Sequence, residues 1–393
     1  MKCVLMNKNR EVLIAEYVEN LSVFSEIYEI KNIEYAPLIV SNTYKNTNDI
    51  TRILTDWFKG RGIPAWRDKL DILLSRLNIS SPEILLDKSF ALSLSDQYWI
   101  KEVDSDIKYD DINFFDHSFD ASEFVEATFS NTNGTIKNEA TLKTPNNTTD
   151  GMLRKSWIIE NGKRVLLKGG YKNEILQPFN EVLASTICDK LGFNHVTYKL
   201  DIIKDKIVSK CECFINKDTE LIPAYQVLHG IIKEEDKNNA YEEYIKILEE
   251  KGIINVREKL ENMLILDFLI MNEDRHLNNF GIIRDVNTGK WLDVAPIFDN
   301  GQSLNLPYYN DDEIIISGEG RFFYNVDKFD NIIKNVSDFK RLDISKLDNI
   351  VEEFDKLLHN YQEITHLSDK RINLLCVLLN RQINKLKKLQ EDN

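Results

Sequence analysis

Apolar side chains at Ile50, Ile53, Leu54, Trp57 and Phe58 recur at helical spacing, which predicts a helix with Asn48 or Asp49 at its N-cap. "PAWRDKLDILLSRL" predicts a second helix, with Pro64 near its first turn, and "SPEILLDKSF" a third. The aromatic stretches "SLSDQYWI" and "DINFFDHSF" read as segments that pack against other elements. Near residue 128 the pattern breaks. "SNTNGTIKNEATLKTPNNTTDG" is rich in Asn, Thr and Gly and poor in large apolar residues, as a loop or domain junction is.

Beyond the junction the period changes. "SWIIENGKRVLLKGG" is two apolar runs joined by Asn161-Gly162, a strong hairpin signal. "QPFNEVLASTICDKLGF" places Phe179, Val182, Leu183, Thr186 and Ile187 on one helical face, with Gly192 past its end. "VTYKLDIIKDKIVSKCECFI" predicts two strands around Lys204-Asp205-Lys206. After residue 240 the pattern is mainly helical, most clearly over 257–271, 345–359 and 368–389. "IKEEDKNNAYEEYIKILEEKG" reads as a solvated helix and its lead-in. A strand-rich stretch followed by a helical one is one way to build a nucleotide cleft.

Composition narrows the class. A net charge of −14 argues against a general affinity for nucleic-acid phosphates. The five cysteines include no C-x-x-C pair, so neither a zinc ribbon nor a disulfide framework is expected. The N-terminus turns charged too early for a signal peptide, and no apolar run approaches the roughly 20 residues of a spanning helix. A cytoplasmic protein is the expectation.

The candidate chemistry lies in "MNEDRHLNNFG", directly behind the apolar "MLILDFLI". Asp274 and Asn279 stand in D-x-x-x-x-N spacing, that of a loop in which Asp orients a substrate hydroxyl and Asn binds a metal. A hairpin turning at Asn287-Thr288-Gly289 then leads to "IFDNG" and returns Asp299 towards Asn279. Two oxygen ligands from separate segments suit Mg²⁺, which fills its other positions with phosphate and water. Upstream, Lys168 ends the strand "RVLLK", where an ammonium can meet phosphates, and "TTDGMLRKSW" can form a backbone nest. Glu181 can pair with Lys168 or face solvent. Asp267 is either a buried polar group or a surface one, and Arg275 is a candidate to hold the loop or a phosphorylated residue. His195 and His229 read as structural.

In this order, "TTDGMLRK", "VLLK", "CECF", "YQVLHG", "MNEDRHLNNF" and "VAPIFDNG" resemble the HipA-like serine/threonine kinases, themselves distantly similar to phosphatidylinositol kinases. The resemblance implies an α+β, two-lobed protein-kinase-like fold: a small strand-rich lobe over 140–226 and a large helical lobe over 227–393. A mixed, helix-containing accessory or partner-binding domain over 1–139 would precede them. It further implies Asp274 as catalytic base, His276 beside the nucleotide phosphates, and Asn279 and Asp299 as Mg²⁺ ligands. ATP would meet Lys168, the backbone around Glu212 and Phe214, Gln226, and a phosphate loop from Gly151 through Lys155. Thr148 or Thr149 stands near the place of an autophosphorylated hydroxyl. The acceptor would be a protein Ser or Thr, with an antitoxin or regulatory partner and no membrane association. Two features depart from the family: the unusual first 140 residues, and Met152-Leu153-Arg154 in the phosphate loop. A lipid or small-molecule kinase and a non-catalytic nucleotide-binding module are the alternatives.

Overall fold

The N-terminal stretch "KCVLMNKNREVLIAEYV" forms two strands that the helical spacing downstream does not announce. A computed structural model of the chain describes residues 1–19, 21–44, 49–68, 70–130, 142–170, 175–304 and 318–392. Asn48, one of the two expected N-caps, and 131–141, the centre of the expected junction with its boundary at 139/140, lie outside the described residues.

The described chain divides into two compact units, each assembled from separate segments. The first comprises Met1–Lys172, Asp201–Ile232 and Ile282–Asp293. Its N-terminal sheet runs in the order β3-β2-β1-β4, with β1 Lys2–Asn7, β2 Arg10–Val18, β3 Val23–Ile30 and β4 Tyr98–Glu102. Both faces of β1 are buried, which explains why it reads "CVLM" without alternation. Cys3 and Leu5 pack with Leu54 and Phe58 of the helix Ile50–Gly60, while Val4 and Met6 pack with Trp99, Tyr109 and Phe114. "YWI" thus opens the edge strand β4, with Cys3 to Asn7 paired against Glu102 to Tyr98.

Of the other expected helices here, Glu83–Lys88 is present. The one expected from Pro64 starts only at Leu70 and ends at Leu77; residues 64–68 are a turn held in place by their side chains.

A second sheet runs β5-β6-β8-β7, with β5 Lys155–Glu160, β6 Lys163–Lys168, β7 Tyr198–Ile203 and β8 Lys206–Glu212. The hairpin β5–β6 turns where expected: Asn161 and Gly162 both take positive φ, 52° and 79°, as a two-residue turn matched to strand twist requires. Lys204 and Asp205 do the same between β7 and β8. One face of this sheet, with Leu167 and Val208, buries Phe129 of the helix Ser122–Phe129. A third sheet, β11-β10-β9, joins β9 Thr219–Pro223, β10 Gly281–Asp285 and β11 Trp291–Val294, the last two being the expected hairpin.

The second unit comprises Asn173–Leu200, Lys233–Gly281 and Val294–Asn393. Its helices include Gln177–Leu191, closed by Gly192 at φ 75°, and Val256–Ile270, Ile350–Asn360 and Asp369–Asp392. The charged stretch expected to be solvated instead buries Tyr241, Tyr244, Ile245 and Leu248 along the helix Ala240–Glu250. A small hairpin pairs β12 Glu319–Phe322 with β13 Asn325–Lys328. The architecture is therefore mixed α+β. Among the described residues no helix is long and apolar enough to cross a membrane.

Candidate active site

The helix Val256–Ile270 stops because Met271 turns left-handed, at φ 50°, and the amide of Asn272 donates back to the Asp267 carbonyl at 3.0 Å. That reversal releases the loop 272–280. Asp267 is 4% exposed, so it is the buried polar group of the two readings. Its partner is Arg275, 2% exposed, at 2.8 Å.

Arg275 places every N–H it has. Nε and one Nη2 hydrogen go to the Asp267 carboxylate, and the other Nη2 hydrogen goes to Asn300 Oδ1 at 2.5 Å. Nη1 donates to the Asn279 carbonyl at 2.9 Å and the Phe298 carbonyl at 2.6 Å. A guanidinium has five donors in a fixed plane, so this set ties helix, loop and the 298–300 segment at fixed angles. Burial works against its charge, but Asp267, with Asp299 and Glu181 beyond, holds it protonated, above the usual arginine range.

The loop closes on itself around Asp274. Its carbonyl accepts from the His276 amide at 2.7 Å and from Asn279 Nδ2 at 2.8 Å, and its amide donates to Asn272 Oδ1 at 3.2 Å. The half-buried Asp274 carboxylate has Arg321 Nε of β12 at 3.2 Å and His276 Nε2 at 3.7 Å. Burial raises its pKa and Asp299 adds to the rise, against the pull of His276, Arg321 and Arg275. The Asn278 amide donates to His276 Nδ1 at 3.2 Å, so a neutral ring carries its proton on Nε2, facing Asp274.

Asp299 sits left-handed, at φ 57°, with its amide 3.4 Å from the Tyr198 hydroxyl. The next amide, of Asn300, donates to Glu181 Oε2 at 2.9 Å, and Asn180 Nδ2 donates to the carbonyls of Gly301 (3.0 Å) and Ser303 (2.6 Å). Glu181 is 1% exposed and does not face solvent: it anchors the Asp299 turn. Asp274, His276, Asn279 and Asp299 thus fall in one unit, on segments that Arg275 joins directly. Asn279 has its amide nitrogen engaged by the Asp274 carbonyl, which leaves Oδ1 as the end able to meet a cation. Together with the Asp299 carboxylate it is a hard-oxygen donor set that fits Mg²⁺ completed by phosphate and water. Among the described residues no three His, Cys, Asp or Glu side chains form a metal cluster by themselves.

The nucleotide candidates fall in the other unit. Lys155 opens β5 and Lys168 closes β6, and the two are direct cross-strand partners, followed across the ladder by Ser209. They share one face of the sheet. Gly151 has φ 96°, and Lys155 Nζ lies so close that a Cβ there would approach it to 2.6 Å. Glu212 projects from the opposite face and pairs with Lys163 at 2.7 Å, and Phe214 follows in the connection to β9. Gln226 lies half-buried on the helix Ala224–Leu228, its carbonyl taking a bond from Asn42.

Thr148 and Thr149 do not present free hydroxyls. Thr148 is 6% exposed and its Oγ donates to the carbonyls of Leu92 and Pro145; Thr149 is 5% exposed and its Oγ donates to Asn146. An acceptor hydroxyl must reach an incoming phosphate, so in this conformation neither is placed as an autophosphorylation site. His195 is the structural residue expected, its ring between the Ser185 hydroxyl at 3.1 Å and the Phe193 carbonyl at 2.9 Å.

Comparison with known proteins gives the chain a kinase relative. No family model matches the chain. It is 27% identical over 197 residues to the serine/threonine-protein kinase CtkA of Helicobacter pylori, a match covering 49% of this chain and 56% of that protein. The crystal structure of the H. pylori proinflammatory kinase CtkA aligns at TM-score 0.48 and 19% identity, covering 61% of this chain and 91% of that one. HipA of Shewanella oneidensis MR-1, solved in a toxin–antitoxin complex with HipB and operator DNA, aligns over 99% of both chains at TM-score 0.49 and 11% identity. The chain is thus homologous to a serine/threonine kinase, consistent with its resemblance to the HipA-like kinases.

Proposed function

We propose that the chain is an ATP- and Mg²⁺-dependent serine/threonine kinase of the HipA-like type. It transfers the γ-phosphate to a protein hydroxyl from a two-lobed fold, with the lobes over 140–226 and 227–393. The observation that carries the reading is the buried Arg275, which fixes the Asp274–Asn279 loop against the segment bearing Asp299. In the sequence of events, Asp274 orients the acceptor hydroxyl and takes its proton, aided by a carboxylate already partly shielded from water. Lys155 and Lys168, cross-strand partners on one face of the sheet, hold phosphate oxygens. Gly151 leaves room for the Lys155 head, and the backbone at Glu212 and Phe214, with Gln226, lines the adenine end. Asn279 and Asp299 would hold Mg²⁺, which neutralises charge on the transferring group when bound. His276 stands beside the phosphates. The five free thiols suit a reducing cytoplasm, and the resemblance to toxin-type kinases makes residues 1–139 the place for a regulatory or antitoxin partner.

The test is incubation with γ-labelled ATP and Mg²⁺, alone, with lysate protein and with lipid extract. Label on protein Ser or Thr, lost in Asp274→Asn, is the expected result. Label confined to the lipid or small-molecule fraction would reassign the acceptor, and tight ATP binding without any label would make the chain a nucleotide-binding module.

A further inference from the structure

The turn at residues 64–68, where a helix was expected, lies against the loop that precedes β5. Arg67 is 7% exposed, and its three nitrogens all point at that loop: Nε to the Gly151 carbonyl at 3.0 Å, Nη1 to Thr149 Oγ1 at 2.7 Å, and Nη2 to the Thr149 carbonyl. Asp68 completes the grip from both ends. Its amide donates to the Met152 carbonyl at 3.2 Å, and its carboxylate receives Arg154 Nε at 2.9 Å and Nη2 at 2.8 Å. The ion pair is nearly closed to water, with side chains 10% and 13% exposed.

Arg154 is also the residue next to Lys155, and its carbonyl accepts from the Gly169 amide at 2.9 Å, one rung beyond the Lys155–Lys168 pair. A Cβ at Gly169 would come within 3.1 Å of the Phe129 ring and crowd it. A continuous line of bonds therefore runs from Arg67 and Asp68 through the loop to both lysines. No loop carbonyl from 149 to 152 that these two residues hold is used in a strand ladder, so the conformation of the loop depends on them.

We infer that Arg67 and Asp68 are positioning residues for the nucleotide phosphates: a clamp, supplied by the N-terminal accessory region, that sets the shape of the Thr149–Arg154 loop and the spacing of Lys155 and Lys168. The inference rests on the kinase reading above, specifically on that loop and those lysines meeting ATP. It assigns part of residues 1–139 a role in the binding of nucleotide, so that this region acts on catalysis and is not only a surface for partners. Neither residue touches the acceptor side, so loss of the clamp acts on nucleotide affinity and leaves the turnover of bound complex nearly intact.

The test uses the full chain with ATP as the titrant. Asp68→Asn removes one charge-assisted pair and is expected to weaken ATP binding about tenfold in calorimetry. The KM for ATP rises by a similar factor and kcat holds within about twofold. Arg67→Lys, which keeps the charge but cannot reach three acceptors, has the same pattern. The exchanged pair Asp68→Arg with Arg154→Asp recovers most of the affinity lost in Asp68→Asn. Binding of ATP by folded Asp68→Asn and Arg67→Lys at wild-type strength overturns the clamp while leaving the kinase reading in place. A fall in kcat at unchanged KM overturns it equally, as does failure of the exchanged pair to recover. If wild type itself binds no ATP, the kinase reading falls and takes this inference with it. If Arg67→Lys does not fold, the Asp68 variants decide alone.

Discussion

Arg275 Nη2 lies 2.8 Å from Asp267 Oδ1, an ion pair inside the second unit between side chains 3% and 5% exposed. Two charges eight residues apart in sequence thus face each other across the end of a helix and the loop that follows it. Removing one partner strands the other. Arg275→Ala is expected to destabilise the protein by about 3–5 kcal/mol, the cost of an uncompensated buried charge. Urea unfolding monitored by circular dichroism measures it. Arg275→Lys recovers little, because one ammonium cannot serve the five acceptor positions.

Asp274→Asn tests the proposed base. The amide keeps the shape of the loop, whose bonds run through the Asp274 backbone and not its carboxylate. Phosphoryl transfer is expected to fall by about 10²–10⁴-fold with ATP affinity retained. A variant that turns over at the wild-type rate would remove Asp274 from the mechanism.

The pH dependence follows from the burial of Asp274, which raises its pKa above the ordinary carboxylate range. A base must be ionised, so activity should fall with acidification at a pH higher than for an exposed aspartate. Arg321 favours the ionised form; Arg321→Ala should shift this acid limb further upward, read from kcat at a series of pH values. The stability sign is opposite to that of a salt-bridged acid. Between the unfolded and the raised folded pKa the folded state binds more proton, so this group makes the protein less stable as pH rises through that window.

Glu181 receives the Asn300 amide from a buried position. Glu181→Gln can offer an oxygen to the same amide and should fold, whereas Glu181→Leu leaves the amide unsatisfied at about 1–3 kcal/mol. If Asp299 binds Mg²⁺, Glu181→Leu also raises the Mg²⁺ concentration needed for half-maximal activity, measured by titration.

Local chemistry was the legible part of this sequence. Asn161-Gly162 fixed a turn because positive φ is a property of few residues in any context, while Lys204-Asp205 was marked by its polar break between two apolar runs. Gly192 marked a helix end for the same reason. The D-x-x-x-x-N spacing and the hairpin after it singled out Asp274, Asn279 and Asp299, which lie in one unit on segments bonded to Arg275. What escaped were groups defined by distant partners. The acceptors of Arg275 include Phe298 and Asn300, and the donor to Glu181 is the Asn300 amide, all more than twenty positions away. Arg67 grips residues more than eighty positions on. The helix expected from Pro64 failed because Arg67 and Asp68 hold that turn from outside, which no periodicity records. The first two strands were missed because burial on both faces erases the alternation that identifies a strand.

The order in which the chain visits its two units bears on how it is made. The first unit is completed only by Ile282–Asp293, and the second has taken residues Asn173–Leu200 and Lys233–Gly281 before that. On the ribosome, then, neither unit can close as its N-terminal portion emerges: β10 and β11, which complete the sheet begun by β9, are synthesised after the whole of the second unit's helix Val256–Ile270. Nascent chains stalled before residue 293 carry both units unfinished.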